Sequence, residues 1–162
     1  MSAAALPAFA ALDQRRAAAR FATGVALVTA PGGLALVINS FVSLSLEPPL
    51  IAFSPARTSR TWRRMRAIGR FGVNVLGAHH AASIRERARP SADRLAGLDI
   101  ELAATGVPVL RDALAFLGCE LEVEHSGGDH TIAVGRVREI RHGGDEPPLV
   151  FYNGDFGAYP RG

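Results

Sequence analysis

The sequence predicts a mainly β fold with peripheral helices, a barrel or sandwich and not a parallel doubly wound sheet. Three observations carry this. The run Cys119-Glu120-Leu121-Glu122-Val123-Glu124-His125 alternates apolar and acidic residues, the period of a half-exposed strand. Short apolar runs recur at 25–29, 50–54, 71–76 and 149–152, each bounded by Gly, Pro or small polar residues. Helical spacing is confined to 7–22, 59–68 and 78–88, so about seven strands outnumber the helices between them.

In chain order, 7–22 reads as a helix with Phe9 and Leu12 on one side and Arg15, Arg16 and Arg20 towards solvent, closed by Thr23-Gly24. A strand at 25–29 turns through Pro31-Gly32-Gly33 into a second at 34–41, a hairpin. A third follows at 50–54. The helix at 59–68 places Trp62, Met65 and Ile68 inwards, with Ser59 as N-cap and Gly69 as stop. Strand 71–76 and helix 78–88 come next, and Pro90 breaks the latter. Residues 91–112, punctuated by Gly97, Gly106 and Pro108, read mostly as loop. The acidic strand at 119–125, a turn at Gly127-Gly128, a long strand at 130–141 and a last strand at 149–152 complete the chain.

The 162 residues suit one domain across 1–162 with its core over 9–157. With 48% hydrophobic and 20% charged residues the composition is globular, not disordered. The uncharged start lacks the basic segment of a secretory signal, and no apolar run reaches the about 18 residues of a spanning helix. The expected location is cytoplasmic, with no membrane partner. The lone Cys119 forms no internal disulfide and reads as a small buried hydrophobe. All 18 basic residues are arginine, and the net charge is +3. The run Arg57, Arg60, Arg63, Arg64, Arg66, Arg70 reads by itself as a solvated helix face. It lacks the interleaved exposed aromatics of a nucleic-acid surface, so no nucleic acid is expected.

The most informative stretch is Asn39-Ser40-Phe41-Val42-Ser43-Leu44-Ser45-Leu46-Glu47-Pro48-Pro49-Leu50. Small polar side chains alternate there with apolar ones, so it reads as a strand opening into a binding edge, its ladder ended by Pro48 and Pro49. Arg57, Ser59 and Thr61 follow, a cluster suited to an anion. His79-His80 are read as surface residues, because neighbours on a helix point apart and no third ligand is near in sequence; no metal site is expected. Taken singly, the serines can be the exposed row of an edge strand, and Gly127-Gly128-Asp129-His130 only a hairpin turn.

Together these segments resemble one family. Gly24-Val25-Ala26-Leu27-Val28-Thr29, the Asn39 to Leu50 stretch, Ser59-Arg60-Thr61-Trp62, Phe71-Gly72-Val73-Asn74-Val75-Leu76, Gly128-Asp129-His130-Thr131, Val134-Gly135-Arg136-Val137 and Tyr152-Asn153-Gly154-Asp155-Phe156 stand in the order found in short-chain flavin reductases. The resemblance implies an FMN-binding split β-barrel, Greek-key-like. It implies an NAD(P)H:flavin oxidoreductase, passing hydride from NADH or NADPH to FMN or FAD and supplying reduced flavin to a partner monooxygenase. It also implies a homodimer. The alternative on the same fold is a non-catalytic FMN-binding or electron-carrier module.

The site residues the resemblance implies are Val37, Ile38, Asn39, Ser40, Ser43 and Ser54 along the flavin ring and ribityl chain, and Arg57, Ser59 and Thr61 at its phosphate. Ala88 lies near the cofactor, and His130 stands beside the nicotinamide as the catalytic-site histidine, in a positioning role. This chain departs from the family pattern at Ala35, Leu36 and Val37, where relatives commonly carry glycine, methionine and threonine, at Val42 in place of threonine, and at Glu86-Arg87-Ala88, where the helix of relatives ends in Phe-Ala. Threonine at 37 or 42 is expected to tighten flavin binding if those side chains face the ring.

Overall fold

The computed structural model describes residues 10–87 and 94–160. Helix α1 (Ala11–Ala18) leads into β1 (Thr23–Gly24), β2 (Ala26–Ala30), β3 (Leu34–Ile38), β4 (Val42–Leu46) and β5 (Pro49–Phe53). Then come α2 (Arg60–Ile68), β6 (Arg70–Val75), and a 3-10 turn (Ala78–His80) that continues into α3 (Ala81–Arg87). The rest is strand: β7 (Ile100–Leu102), β8 (Pro108–Leu110), β9 (Ala115–Gly127), β10 (His130–His142), β11 (Leu149–Tyr152) and β12 (Asp155–Ala158). Among the described residues no helix is long and apolar enough to cross a membrane.

Seven strands form one antiparallel sheet in the order β3-β2-β6-β9-β10-β5-β4. Its two edges, β3 and β4, are consecutive in the chain and joined by Asn39-Ser40-Phe41. Laid flat, seven strands at about 4.8 Å spacing would hold these edges about 29 Å apart. Three linking residues reach about 14 Å at most. The sheet must therefore curl until its edges approach, which makes a barrel with one seam between β3 and β4. Ser40 Oγ, on the linker, accepts a hydrogen bond from the Ser54 backbone N–H at 2.9 Å and pins the crossing chain to the end of β5.

Inside, Phe53, Trp62 and Phe71 pack edge to face with ring centroids 5.1 to 5.9 Å apart, an arrangement favoured by the aromatic quadrupole. Helix α2 closes one barrel mouth. Ser59 Oγ caps it by accepting from the Trp62 N–H at 3.1 Å, Trp62 and Met65 are buried, and Gly69 ends it at φ 77°. Gly135 has no room for a side chain, since a Cβ there would lie 2.7 Å from Phe71 Cζ. Cys119 is buried in this core, and desolvation pushes its thiol pKa up to about 12.

A buried polar knot ties the neighbouring strands β2 and β6 to β8. Asn74 Nδ2 donates to the Leu27 carbonyl (3.0 Å) and to Thr29 Oγ1 (3.2 Å), while its Oδ1 accepts from the Leu110 N–H (2.8 Å). Thr29 Oγ1 donates onward to the Pro108 carbonyl at 2.6 Å. Arg87 is also buried and donates to the carbonyls of Ser83 (2.7 Å), Arg94 (2.8 Å) and Ala96. The guanidinium thereby ties the end of α3 to Arg94 and Ala96.

Several expectations need correction. Helix α1 spans Ala11–Ala18 and buries no residue, so Leu12 does not reach the core. The stretch from Asn39 to Leu50 is not one strand: β3 ends at Ile38 and β4 belongs to the far edge. Pro49 does not end the ladder but begins β5, paired with Leu46, a position where a strand tolerates proline. Residues 91–112 hold a hairpin, β7 with β8, whose three-residue strands are too short to show alternation. Strand β12 was not expected either; Asn153 and Gly154, both at positive φ, fold it back onto β11. The described residues thus hold twelve strands, not about seven.

The acidic alternation also breaks. In β9, Leu121 pairs with Gly135 and Val123 with Val134, so Glu122 is an extra residue on one strand. Beyond this bulge the faces swap: Val123 turns outward and Glu124 turns in to accept from Trp62 Nε1 at 2.9 Å.

Candidate functional site

Two adjoining cavities open near the barrel seam, and Ser59 lines both. The first, about 430 Å³, is a slot between the end of β3 (Leu36, Val37, Ile38), the linker residues Asn39 and Ser40, and the segment after β5 (Ser54, Pro55, Ala56), with His130 at its rim. The second, about 400 Å³, is lined by Arg57, Arg63, Arg66, Trp62 and Thr131, with Glu124, His125 and Ser126. Both sizes lie in the range of small-molecule sites, about 300 to 1,000 Å³.

The walls are held by backbone bonds between distant segments. Thr131 N–H donates to the Pro55 carbonyl (3.0 Å), and Arg57 N–H donates to the Asp129 carbonyl (3.0 Å). Ala56 bridges His130. The β5–α2 loop and the β9–β10 turn, some 70 residues apart in sequence, therefore form one rim.

The slot is amphipathic. Ser40 Oγ and Ser59 Oγ each accept from a backbone N–H, which leaves each hydroxyl proton free to donate to something else. The second cavity carries three guanidiniums against one carboxylate, and that carboxylate is occupied. Glu124 accepts from Trp62 Nε1 and pairs with Arg66 at 3.5 Å. Arg57 instead donates to the Gly128 carbonyl at 3.3 Å, so its charge is not neutralised there. The N–H groups of Arg60 and Thr61, the first two helical positions of α2, have no acceptor four residues back. Positive charge and free donors converge on the Ser59 end of the slot, which favours an anion.

His130 is partly exposed, and its Nδ1 lies 2.7 Å from Asp129 Oδ1. That hydrogen bond holds the exposed Asp129 carboxyl below the usual carboxylate range.

Of the residues expected at a site, Val37, Ile38, Asn39, Ser40, Ser54, Ser59 and His130 line the slot, and Arg57 lines the adjoining cavity with Ser59. Ser43 and Thr61 line neither. Ser43 sits mid-strand on the far-edge β4, paired with Ile51, and Thr61 is the second residue of α2 with a half-buried side chain. Val42 pairs with Ala52 on the outer face and is half exposed, so a threonine there would not meet the slot. Ala88 lies outside the described residues. Arg63 and Arg66 were passed over as solvated, although their spacing from Ser59, four and then three residues, puts them on one helix face.

The expectation about His79-His80 is also corrected. They lie on a 3-10 turn with their rings in tilted contact, centroids 3.9 Å apart, His80 is buried, and Asp112 supplies the third polar group that sequence proximity did not show.

Known proteins agree with this geometry. A family profile described as "Flavin reductase like domain" matches residues 18–160. The chain is 39% identical over 154 residues to a flavin-dependent monooxygenase reductase subunit, HsaB, of Rhodococcus jostii, covering 90% of this chain and 78% of that protein. It is 38% identical over 153 residues to the FMN reductase (NADH) SmoA of Agrobacterium fabrum, covering 91% and 85%. Its fold superposes with a TM-score of 0.86 and 32% identity on the NADH:FAD oxidoreductase SgcE6 of Streptomyces globisporus, solved in complex with NAD and FAD fragments, over 92% of each chain. With a profile match over most of its length and relatives above 30% identity that share its fold, the chain belongs to the flavin reductase like domain family.

Proposed function

We propose that this protein is an NAD(P)H-dependent flavin reductase that passes hydride from NADH or NADPH to FMN or FAD and supplies reduced flavin to a partner monooxygenase. The observation that carries this reading is the amphipathic slot joined at Ser59 to an arginine-lined cavity. A bound flavin supplies the redox chemistry; the protein supplies position and electrostatics.

The residues fit such a group. Val37 and Ile38 offer an apolar wall to a flat ring, while Asn39, Ser40 and Ser54 offer polar contacts along its edge and ribityl chain. Arg57, the Ser59 hydroxyl and the N–H of Thr61 hold the phosphate, with Arg63 close by. His130 stands at the open rim, where it orients a second ligand arriving from solvent. Ser43 and Ala88 have no role in this assignment. The whole chain works as one domain, in the cytoplasm, where nicotinamide cofactors and a reduced Cys119 are both found.

We also infer a homodimer. Val42 and Val123, 50% and 41% exposed, flank the buried Ala52 and Val134 in one cross-strand row on the outer face, with the exposed Ile132 beside it. A second copy laid on this face would cover it. Sedimentation equilibrium should give twice the chain mass, and Val123→Glu should shift it towards the monomer. A monomeric wild type would contradict the pairing.

The test of function is NADH absorbance at fixed enzyme with and without FMN. Oxidation that rises with added FMN is the expected result. Tight flavin binding without nicotinamide oxidation would instead mark a flavin carrier.

A further inference from the structure

We propose that His79, His80 and Asp112 bind one transition-metal dication of the zinc and nickel class, tying the start of α3 to the turn between β8 and β9. None of the three lines the slot or its adjoining cavity.

The geometry comes first. His80 Nε2 is 3.0 Å from Asp112 Oδ1, and His79 Nε2 is 3.4 Å from Asp112 Oδ2. One ligand atom from each residue can be chosen so that all lie within 4.8 Å of one another. Metal bonds of about 2.0 to 2.1 Å in a tetrahedral site put ligand atoms about 3.3 Å apart, so small rotations close the set. Two imidazoles and one carboxylate form a donor set that suits zinc, nickel, cobalt or copper better than magnesium or calcium.

The backbone explains why adjacent histidines converge. The His79 ring folds back over Gly77, where an added Cβ would lie 2.6 Å from its Cε1. A side chain at 77 would displace the ring from this position. The ring lies tilted against that of His80, centroids 3.9 Å apart, and presents Nε2 to Asp112.

His80 is already oriented for ligation. Its side chain is 3% exposed, and its Nδ1 lies 3.1 Å from the Gly77 nitrogen and 3.2 Å from the Gly77 oxygen. Without a cation, the Gly77 N–H donates to Nδ1 and Nε2–H donates to Asp112. On binding, Nε2 gives its lone pair to the metal and Nδ1–H donates to the Gly77 carbonyl, the backbone partner that fixes a ligating histidine. The hydrogen bond between His80 and Asp112 would be complete without His79. A second imidazole on the other carboxylate oxygen is what a metal site adds. His79 and Asp112 are open to solvent, which leaves a position for water.

The experiment uses the untagged full chain, stripped with chelator and then dialysed against zinc, with metal content and calorimetry as readouts. Cobalt substitution gives a visible spectrum that reports nitrogen and oxygen ligation independently of activity. One zinc per chain and a higher thermal midpoint in zinc are expected. His79→Ala and Asp112→Ala, both at exposed positions, should fold with unchanged circular dichroism and lose affinity at least about tenfold. The proposal is overturned if the wild type takes up no stoichiometric zinc. It is equally overturned if both variants bind as the wild type does, which would locate the ion at other histidines.

Discussion

Replacing Arg57 and Ser59 together by alanine is expected to raise the Kd for FMN roughly 30-fold while leaving riboflavin binding nearly unchanged. The difference between the two ligands is the phosphate. Arg57 carries a charge not neutralised by a carboxylate, and the Ser59 hydroxyl retains a proton to donate. Charge-assisted bonds contribute about 1.5 to 3 kcal/mol each, and the solvent at Arg57 reduces its share, so about 2 kcal/mol for the pair is a fair figure. Loss of the Ser59 cap also weakens the first turn of α2, by about 1 kcal/mol of stability. Fluorescence titration with both flavins checks this, and a thermal melt confirms folding. Equal losses for FMN and riboflavin would show that the phosphate lies elsewhere.

The second large effect is on stability. Asn74→Ala should lower the thermal midpoint by about 10 °C, because it removes three buried hydrogen bonds, strands the Leu110 N–H and leaves a cavity where the amide stood. A stranded buried group costs about 1 to 3 kcal/mol and the cavity adds to this, giving about 3 to 4 kcal/mol in total, and a chain of this size loses about 2 to 4 °C per kcal/mol. Flavin affinity measured below the transition should change little, since Asn74 lies outside both cavities. A midpoint within about 2 °C of the wild type would mean that water satisfies the knot.

Much of the barrel could be read from the chain because its strands carry local signals. The Ser59 cap, the Trp62 and Met65 face and the Gly69 stop all lie within one turn of the helix they define. What could not be read depends on contacts far apart in sequence. Nothing near Asn74 shows that its amide is buried against Leu110, and nothing near Glu124 shows that a bulge at Glu122 turns it towards Trp62. The stretch from Asn39 to Leu50 is continuous in sequence but divided in the fold. Its first residues line the slot, while Ser43 belongs to β4 at the other end of the strand order, a division that only the strand pairing reveals. Arg63 and Arg66 show the same limit, since a helix face looks solvated until the strand that walls it is known.

The most direct test is a crystal structure with FMN bound. The ring should lie in the slot between Val37 to Ser40 and Ser54 to Ala56, with its phosphate in hydrogen-bond contact with Ser59 and Arg57. A phosphate bound away from the start of α2, or a ring seated outside the seam, would contradict the assignment.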